Sequence, residues 1–230
     1  MTATVPLRPD LADDLIARYE QATERWARLV RNQLDAIHIG QSRHADHANA
    51  AVLKRILADH DWPGLRLVGP DAAQAAWRIA LHADHAPDFQ RTAAQLLDRA
   101  VQADDAPVQQ WAHLHDRALV NSGQAQEFGT QYRTGPGGLE PYPVREPALL
   151  DDRRVSVGLQ PAATALHALR QRLASAPGHG DTTGDIVVPA RSAVPVERRL
   201  WQLKPRRHIR PVPEATPDQV SAGELRAVGQ

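Results

Sequence analysis

Residues 71–101 read DAAQAAWRIALHADHAPDFQRTAAQLLDRAV, and this stretch decides the fold class. On both sides of a short polar break, apolar residues recur at three- and four-residue steps, which indicates two consecutive amphipathic helices. Asp71 is placed to cap the first helix, and Pro87 is placed at the first position of the second. The expected buried faces comprise Ala73, Ala76, Trp77, Ala80 and Leu81, then Ala93, Leu96, Leu97, Ala100 and Val101. The stretch therefore predicts two helices joined by a loop.

The same periodicity continues outward from this stretch. Upstream, it predicts one helix that starts at Asp10 and stops at Gly40, and a second helix with Asp46 as its N-cap. Downstream, a fifth helix starts near Pro107. Residues 124–145 are rich in Gly and Pro, so we expect an irregular or briefly extended polar loop there. Two shorter helices follow, and together these elements predict a mainly α single domain of five to seven helices over residues 1–175.

Residues 176–230 form a Pro-rich and Arg-rich extension with little apolar periodicity. Residues 189–211 contain seven Arg or Lys against one Glu, a local charge of +6, whereas the whole chain is neutral. We predict that Ile186–Leu203 packs as an extended strap, anchored by Trp201, on the helical domain or on a second copy of the chain in a homodimer. The alternative is a disordered C-terminus.

Composition excludes several classes of chemistry. The 230 residues include no Cys, which excludes thiolate nucleophiles and Cys-ligated metals. Phosphate-binding Gly-rich loops and serine-hydrolase motifs are also missing from the sequence. No apolar stretch approaches the length of a membrane span, so we expect a cytoplasmic protein with no membrane partner. Nucleic acid is not the expected partner, because 27 Lys and Arg balance 27 Asp and Glu.

Ordered short motifs connect the chain with a known family. They are Trp62-Pro63-Gly64, Ala75-Ala76-Trp77, His82-Ala83-Asp84-His85, Pro87-Asp88-Phe89-Gln90, Asp116-Arg117, Gly129-Thr130-Gln131, Asp152-Arg153-Arg154 and Val157-Gly158-Leu159. In order and spacing, residues 46–173 resemble a bacterial family numbered 6624 in the domain-of-unknown-function series. The chain departs from the family pattern at Ala86, where the family usually has an acid. The resemblance implies no activity.

The most reactive cluster in the sequence is His82, Asp84 and His85. On a helix, residues three positions apart are neighbours, so the two imidazoles can face one point and exchange a proton. We expect His82 and His85 to be proton carriers, Asp84 to orient one of them, and the C-terminal helix dipole to raise their pKa. A metal site and purely structural roles, such as capping or packing on Trp77 or Trp111, are the alternatives. We assign no metal and no cofactor.

A polar loop after the fifth helix supplies candidate substrate contacts. We expect Thr130, Gln131 and Tyr132 to cover the end of the third helix, with Arg117 and Trp77 completing a pocket for a small molecule. The first functional hypothesis is a small-molecule enzyme that uses histidine general acid–base catalysis. The alternative is a non-catalytic ligand-binding or protein-interaction module, such as an immunity or regulatory protein.

A second His-Ala-Asp-His occurs at residues 44–47. Its flanking residues do not match those of the first copy, so we treat the duplication as coincidence rather than as a repeat. The simplest role for Asp46 is then the helix N-cap described above.

Overall fold

The structure, a computed structural model, describes residues 5–30, 36–135, 138–175 and 186–188. Within those residues the chain forms seven α-helices, a short 3-10 helix and three β-strands. In chain order the elements are α1 (Pro9–Val30), α2 (Ala36–His60), α3 (Leu65–Leu81), α4 (Pro87–Gln102), α5 (Val108–Asn121), β1 (Gln131–Gly135), β2 (Gly138–Pro141), the 3-10 helix (Pro147–Leu149), α6 (Leu150–Ser156), α7 (Ala162–Ser175) and β3 (Ile186–Val188). The prediction of a mainly α fold is confirmed.

The two N-terminal helices divide at a different place from the prediction. The periodicity predicts one helix that runs to Gly40, whereas α1 ends at Val30 and α2 has already begun at Ala36. Gly40 therefore lies inside a helix, where Gly costs about 1 kcal/mol relative to Ala. Burial of one Leu side chain such as Leu53, which is 0 % exposed in α2, contributes about 2 kcal/mol and outweighs that cost.

A break interrupts α3 near its start. Gly69 has φ 78° and ψ 171°, a conformation that costs Gly little and other residues much, and Pro70 follows it. The sequence predicts a break at these two residues, and it is confirmed. Asp71 lies within the helix after the break, so the prediction that it is the N-cap is wrong.

The long segment of α3 is the centre of the hydrophobic core. From Ala72 to Leu81, every residue except Gln74 is buried. Its neighbours α1, α2, α4 and α5 contribute apolar side chains to the same core. A helix buried around most of its circumference is an interior element, so the polar residues that follow Leu81 emerge where several helices meet.

A short hairpin forms within residues 124–145, the segment predicted to be irregular or briefly extended. β1 pairs antiparallel with β2, and Gly135 lies opposite Gly138. Residues 136 and 137, in the middle of the predicted turn, lie outside the described residues. Tyr132 and Leu139 of the hairpin pack with Leu169 of α7, which gives the hairpin its own small apolar cluster.

Three residues of the C-terminal extension are described. Ile186–Val188 forms β3, which pairs parallel with β1 and places Ile186 opposite Gln131. These residues begin the predicted strap. The rest of the strap, with Trp201 and the contact with a second copy, lies outside the described residues and stays a prediction.

Candidate functional site

The His-Ala-Asp-His motif at residues 82–85 follows a helix instead of lying on one. α3 ends at Leu81 with His82 as its C-cap, so Asp84 and His85 belong to the connection to α4. The predicted helical geometry, in which His82 and His85 face one point, is therefore wrong. Each of the two imidazole rings stacks on an aromatic ring from the N-terminal helices instead.

His82 stacks on Trp26 of α1, with ring centroids 3.7 Å apart and planes inclined by 6°. Burial, supported by the positive charge of Arg117, lowers the pKa of His82 to about 3. The helix dipole predicts the opposite direction, but the loss of hydration is the larger effect here. At neutral pH His82 is therefore an uncharged imidazole that can donate or accept a hydrogen bond.

Asp84 forms a two-point ion pair with Arg117 of α5. Arg117 Nε donates to Oδ1 at 2.8 Å, and Arg117 Nη2 donates to Oδ2. Asn121 Nδ2 donates a further hydrogen bond to Oδ1 at 2.8 Å. Burial acts to raise the pKa of Asp84, but the charge and hydrogen bonds of Arg117 outweigh it, so the pKa is lowered overall. Asp84 is consequently an anion at neutral pH.

Gln90 of α4 completes this network. Asn121 Nδ2 donates to Gln90 Oε1 at 2.7 Å, and Gln90 Nε2 donates to the carbonyl oxygens of Ala80 and Leu81 at 3.1 and 3.2 Å. These carbonyls lie in the last turn of α3, where no further helical N–H is available to them. The network therefore ties the end of α3 to α4 and α5.

Asp46 joins the site in a role that differs from its predicted one. Because α2 begins at Ala36, Asp46 lies inside the helix, and the prediction that it is the N-cap is wrong. Trp26 Nε1 donates to Asp46 Oδ1 at 3.0 Å. Within the described part of the chain, no Lys or Arg forms an ion pair with Asp46. Burial raises the pKa of Asp46 to about 6. The hydrogen bond from Trp26 and the positive charge of Arg25 act to lower it, and the negative charge of Asp84 acts to raise it, but burial is the largest effect.

The remaining histidine, His85, stacks on His47 of α2 with ring centroids 3.6 Å apart and planes inclined by 16°. Both residues are exposed. Burial of part of its ring lowers the pKa of His85, and the nearby His47 contributes to the shift. The two copies of His-Ala-Asp-His, which we treated as a coincidence, are thus in contact in the folded chain.

The polar loop is attached to α5 through Asp116. Its carboxylate accepts hydrogen bonds from the backbone N–H groups of Glu127, Phe128 and Thr130 at 2.7, 3.0 and 2.9 Å. A carboxylate in this position satisfies donors that no strand or helix would pair. The loop that carries the predicted substrate contacts is therefore held by a residue adjacent to Arg117.

The predicted contacts in that loop lie beneath the surface. Thr130 and Gln131 are 0 % exposed and Tyr132 is 1 % exposed. Gln131 Oε1 accepts a hydrogen bond from Arg117 Nη1 at 3.4 Å, and Gln131 Nε2 donates to the carbonyl oxygen of His113 at 3.2 Å. The loop thus reaches the ion pair through Arg117, which is 2 % exposed.

Trp77, the remaining predicted substrate contact, has different neighbours. Its Nε1 donates to the carbonyl oxygen of Gln110 on α5 at 2.8 Å, and the guanidinium of Arg78 lies 4.7 Å from the centre of its ring. Trp77 lines a cleft between α3, α5, α6 and α7.

A family of unknown function, DUF6624, matches residues 9–174. The chain belongs to this family. The match confirms the resemblance described over residues 46–173 and extends it to α1. The matched range therefore includes Trp26 as well as Asp46 and Asp84. No curated protein and no solved structure matches the chain.

Two features are absent from the part of this DUF6624 chain that the structure describes. No group of three His, Cys, Asp or Glu side chains is arranged to hold a metal ion there. Among the described helices, none combines the length and apolar character needed to cross a bilayer.

Sequence reasoning missed five residues of the site, namely Trp26, Asp46, His47, Gln90 and Asn121. Trp26 reads as one more apolar position of an amphipathic helix, and nothing local marks its indole N–H as a hydrogen-bond donor to α2. The duplicated motif was the one available signal for Asp46 and His47, since two copies of one polar motif on adjacent elements can meet when the helices pack.

Proposed function

We propose that this DUF6624 chain is a small-molecule enzyme that works by general acid–base catalysis, with Asp46 as the group that exchanges the proton. The supporting observation is the contrast between two carboxylates. Asp84 is paired with Arg117 and hydrogen-bonded by Asn121, whereas Asp46 accepts a hydrogen bond from Trp26 and forms no ion pair among the described residues. Carboxyl groups whose surroundings shift their pKa values in opposite directions are typical of sites that use one as an acid or base and the other as a fixed charge.

Asp46 has the acidity that this role requires. Its pKa of about 6 lies near neutral pH, so both the protonated and the ionised forms are accessible. Asp84 stays ionised, and its negative charge favours the protonated form of Asp46. The proposal therefore gives Asp84 a positioning and electrostatic role in place of the orienting role predicted from the sequence.

The histidines take different roles in this proposal. His82 is neutral and packed on Trp26, so we assign it the positioning of the indole that donates to Asp46. His85 and His47 are exposed, and their imidazoles can accept or donate hydrogen bonds to a polar substrate. Because the pKa of His85 is lowered, its neutral form is available at neutral pH to accept a proton.

The buried loop residues support this arrangement from below. We propose Arg117, Thr130, Gln131 and Tyr132 as positioning residues, because each is at most 2 % exposed. Arg117 holds Asp84, and Gln131 in turn accepts a hydrogen bond from Arg117. A substitution at Gln131 should therefore act through the ion pair.

The direct test compares Asp46→Asn with Asp59→Asn, an exposed carboxylate on the same helix. Each protein is incubated with a mixture of small polar metabolites, and substrate loss and product gain are followed by mass spectrometry. Wild type and Asp59→Asn should form the same product, and Asp46→Asn should form it at least about 100-fold more slowly. Equal turnover by Asp46→Asn would refute the proposal.

A second measurement needs no substrate. The carboxyl carbon of Asp46, followed by NMR as the pH is varied, should titrate with a midpoint near 6. Loss of that signal in Asp46→Asn assigns it. A midpoint near 4, the ordinary value for Asp, would remove the chemical reason for choosing this residue.

A non-catalytic binding module is the second candidate. It is favoured by the fixed charge states of His82 and Asp84, which leave few groups able to titrate near neutral pH. A binding module would form a stoichiometric complex with a component of the same mixture and release no product. His85→Ala would then weaken the complex, whereas Asp46→Asn would not.

A further inference from the structure

A second candidate site lies in the cleft between α3, α5, α6 and α7. Its volume is about 520 Å³, which is within the range of pockets that hold small organic ligands. Three arginines, Arg78, Arg154 and Arg172, line it together with His113, and no Asp or Glu is among the described residues of its wall. The described part of the wall therefore contains three cationic side chains and no carboxylate.

Arg154 shows how this charge is accommodated. The residue is 2 % exposed, and its Nη1 donates to the carbonyl oxygens of Phe128 and Gly129 at 2.6 and 3.3 Å. Its Nε donates to the carbonyl oxygen of Gln160. Carbonyl oxygens satisfy N–H donors but bring only partial charges, so the guanidinium keeps its positive charge in a region with little water.

His113 supplies an independent observation at the same cleft. It is 7 % exposed, and its Nδ1 is buried without a hydrogen-bond partner in the described part of the chain. Burial, together with the positive charges of Arg154 and Arg78, lowers the pKa of His113 to about 3, so the ring is neutral. A buried polar atom without a partner costs free energy unless a ligand or water satisfies it.

The rest of the wall fits an organic body. Leu159, Ala165 and Ala168 provide apolar surface next to the arginines, and Trp77, which is 3 % exposed, contributes an aromatic ring to the wall. Glutamine side chains, among them Gln110, provide additional hydrogen-bonding groups at the edge. The combination of cationic and apolar surface distinguishes this cleft from a site for a free inorganic ion.

We propose that the cleft binds a small organic anion, with its carboxylate or phosphate ester on Arg78, Arg154 and Arg172 and its apolar body on Trp77 and Leu159. Arginine suits either group, because its planar fork of donors matches two oxygens of an oxyanion. The site does not depend on proton transfer at Asp46, since none of its wall residues belongs to the cluster around Asp46 and Asp84.

Calorimetric titration of the full-length chain tests the charge requirement. The probes are benzoate, phenyl phosphate and the neutral benzyl alcohol, which share one aromatic ring. At least one of the two anions should bind at least about tenfold more tightly than the alcohol, and added salt should weaken that binding. The preferred anion distinguishes a carboxylate site from a phosphate site. Equal affinity for the alcohol and both anions, or no binding of any probe, would overturn the proposal.

A matched pair of variants on α7 locates the binding. Arg172→Gln removes a charge from the cleft wall, whereas Arg170→Gln removes the same charge from an exposed residue outside that wall. Arg172→Gln should weaken anion binding about tenfold, and Arg170→Gln should leave the affinity unchanged. The melting temperature of each variant shows that it is folded at the temperature of the titration. Equal weakening by both variants would indicate a general charge effect and overturn the assignment.

A spectroscopic measurement on the wild-type chain avoids substitution altogether. The ¹⁵N imidazole resonances of His113 should shift when the preferred anion is added, because the ligand lies against its ring. His167, an exposed histidine of α7 that is not part of the wall, serves as the internal control. Binding that leaves His113 unchanged would place the ligand elsewhere.

Discussion

The cluster around Asp46 and Asp84 and the cleft between α3, α5, α6 and α7 each contain a buried arginine. The charges of these two arginines are balanced in different ways. Arg117 and Arg154 are each 2 % exposed. Arg117 meets the carboxylate of Asp84 at two points, whereas Arg154 donates to backbone carbonyl oxygens. The first arrangement cancels a full charge, and the second satisfies donors while leaving the charge in place.

Burial alone therefore does not determine whether a charged side chain can attract a further ion. An arginine paired with a carboxylate fixes the position of that carboxylate and attracts no further anion. An arginine held by carbonyl oxygens is positioned equally well and still attracts an anion. A related contrast separates Asp84 and Asp46, because Asp84 forms an ion pair with Arg117, whereas Asp46 accepts a hydrogen bond from the indole of Trp26 and forms no ion pair among the described residues.

We expect the largest change in stability when the ion pair between Asp84 and Arg117 is broken. Asp84→Asn leaves the guanidinium of Arg117 buried without its carboxylate, so we expect the free energy of unfolding to fall by about 3–5 kcal/mol. Urea denaturation followed by circular dichroism measures the change. Glu140→Gln is the control, since it breaks the exposed pair between Arg133 and Glu140 and should cost less than about 1 kcal/mol. Similar losses of unfolding free energy in the two variants would show that the buried ion pair stabilises the fold no more than the exposed one does.

The next effect concerns Asp46, which forms no ion pair among the described residues. The folded pKa of Asp46 is about 6 against an ordinary value of 3.8, so the folded state binds more protons than the unfolded state between these values. The stability that Asp46 contributes is complete below about pH 4 and is lost as the pH rises through about 6. Asp46→Asn cannot ionise and keeps an oxygen for Trp26, so it should match wild type near pH 4 and be more stable above pH 6, by up to about 3 kcal/mol.

The measurement for Asp46→Asn is urea denaturation of both proteins at a series of pH values. His82 and His113 lose protons with folded pKa values near 3, which gives an opposite pH dependence, but both proteins contain them. Their contribution therefore cancels in the difference between the two curves. A difference that stays constant from pH 4 to pH 7 would contradict the raised pKa of Asp46.

We expect the smallest of the three changes in stability from a substitution in the cleft. Arg154→Met leaves the carbonyl oxygens of Phe128 and Gly129 without a donor but also removes an uncompensated buried charge, so the two consequences partly offset each other. We expect a loss of about 1–2 kcal/mol in the same denaturation experiment, less than for Asp84→Asn. A larger loss than for Asp84→Asn would mean that the carbonyl oxygens balance the charge of Arg154 as fully as a carboxylate does.

Local sequence patterns predicted the fold class and several boundaries. The break at Gly69 and Pro70 and the start of α4 at Pro87 follow from backbone properties of Gly and Pro that act within a few residues. The boundary between α1 and α2 was not predictable in this way. Gly40 is a weak helix breaker, and the packing of α2 on the core overrides it.

The candidate site was predictable in part. The motif at residues 82–85 marked one side of it, since Asp84 forms the ion pair with Arg117. Its other side was not predictable, because Asp46 became a site residue through the position of α1, which brings the indole of Trp26 to α2. The arginines of the cleft come from three helices, and no short motif unites them.

By itself, therefore, the sequence determined that this chain is helical, where its core lies and which polar residues stand at the end of α3, because propensity, periodicity and turn chemistry act over short distances. Only the tertiary structure decided which of these polar groups carry charge. The side chains that donate to Asp46 and Asp84, Trp26 and Arg117, lie 20 and 33 positions away along the chain. The charge of a carboxylate depends on the water it loses and on the cations brought beside it, and both are settled only when the helices pack.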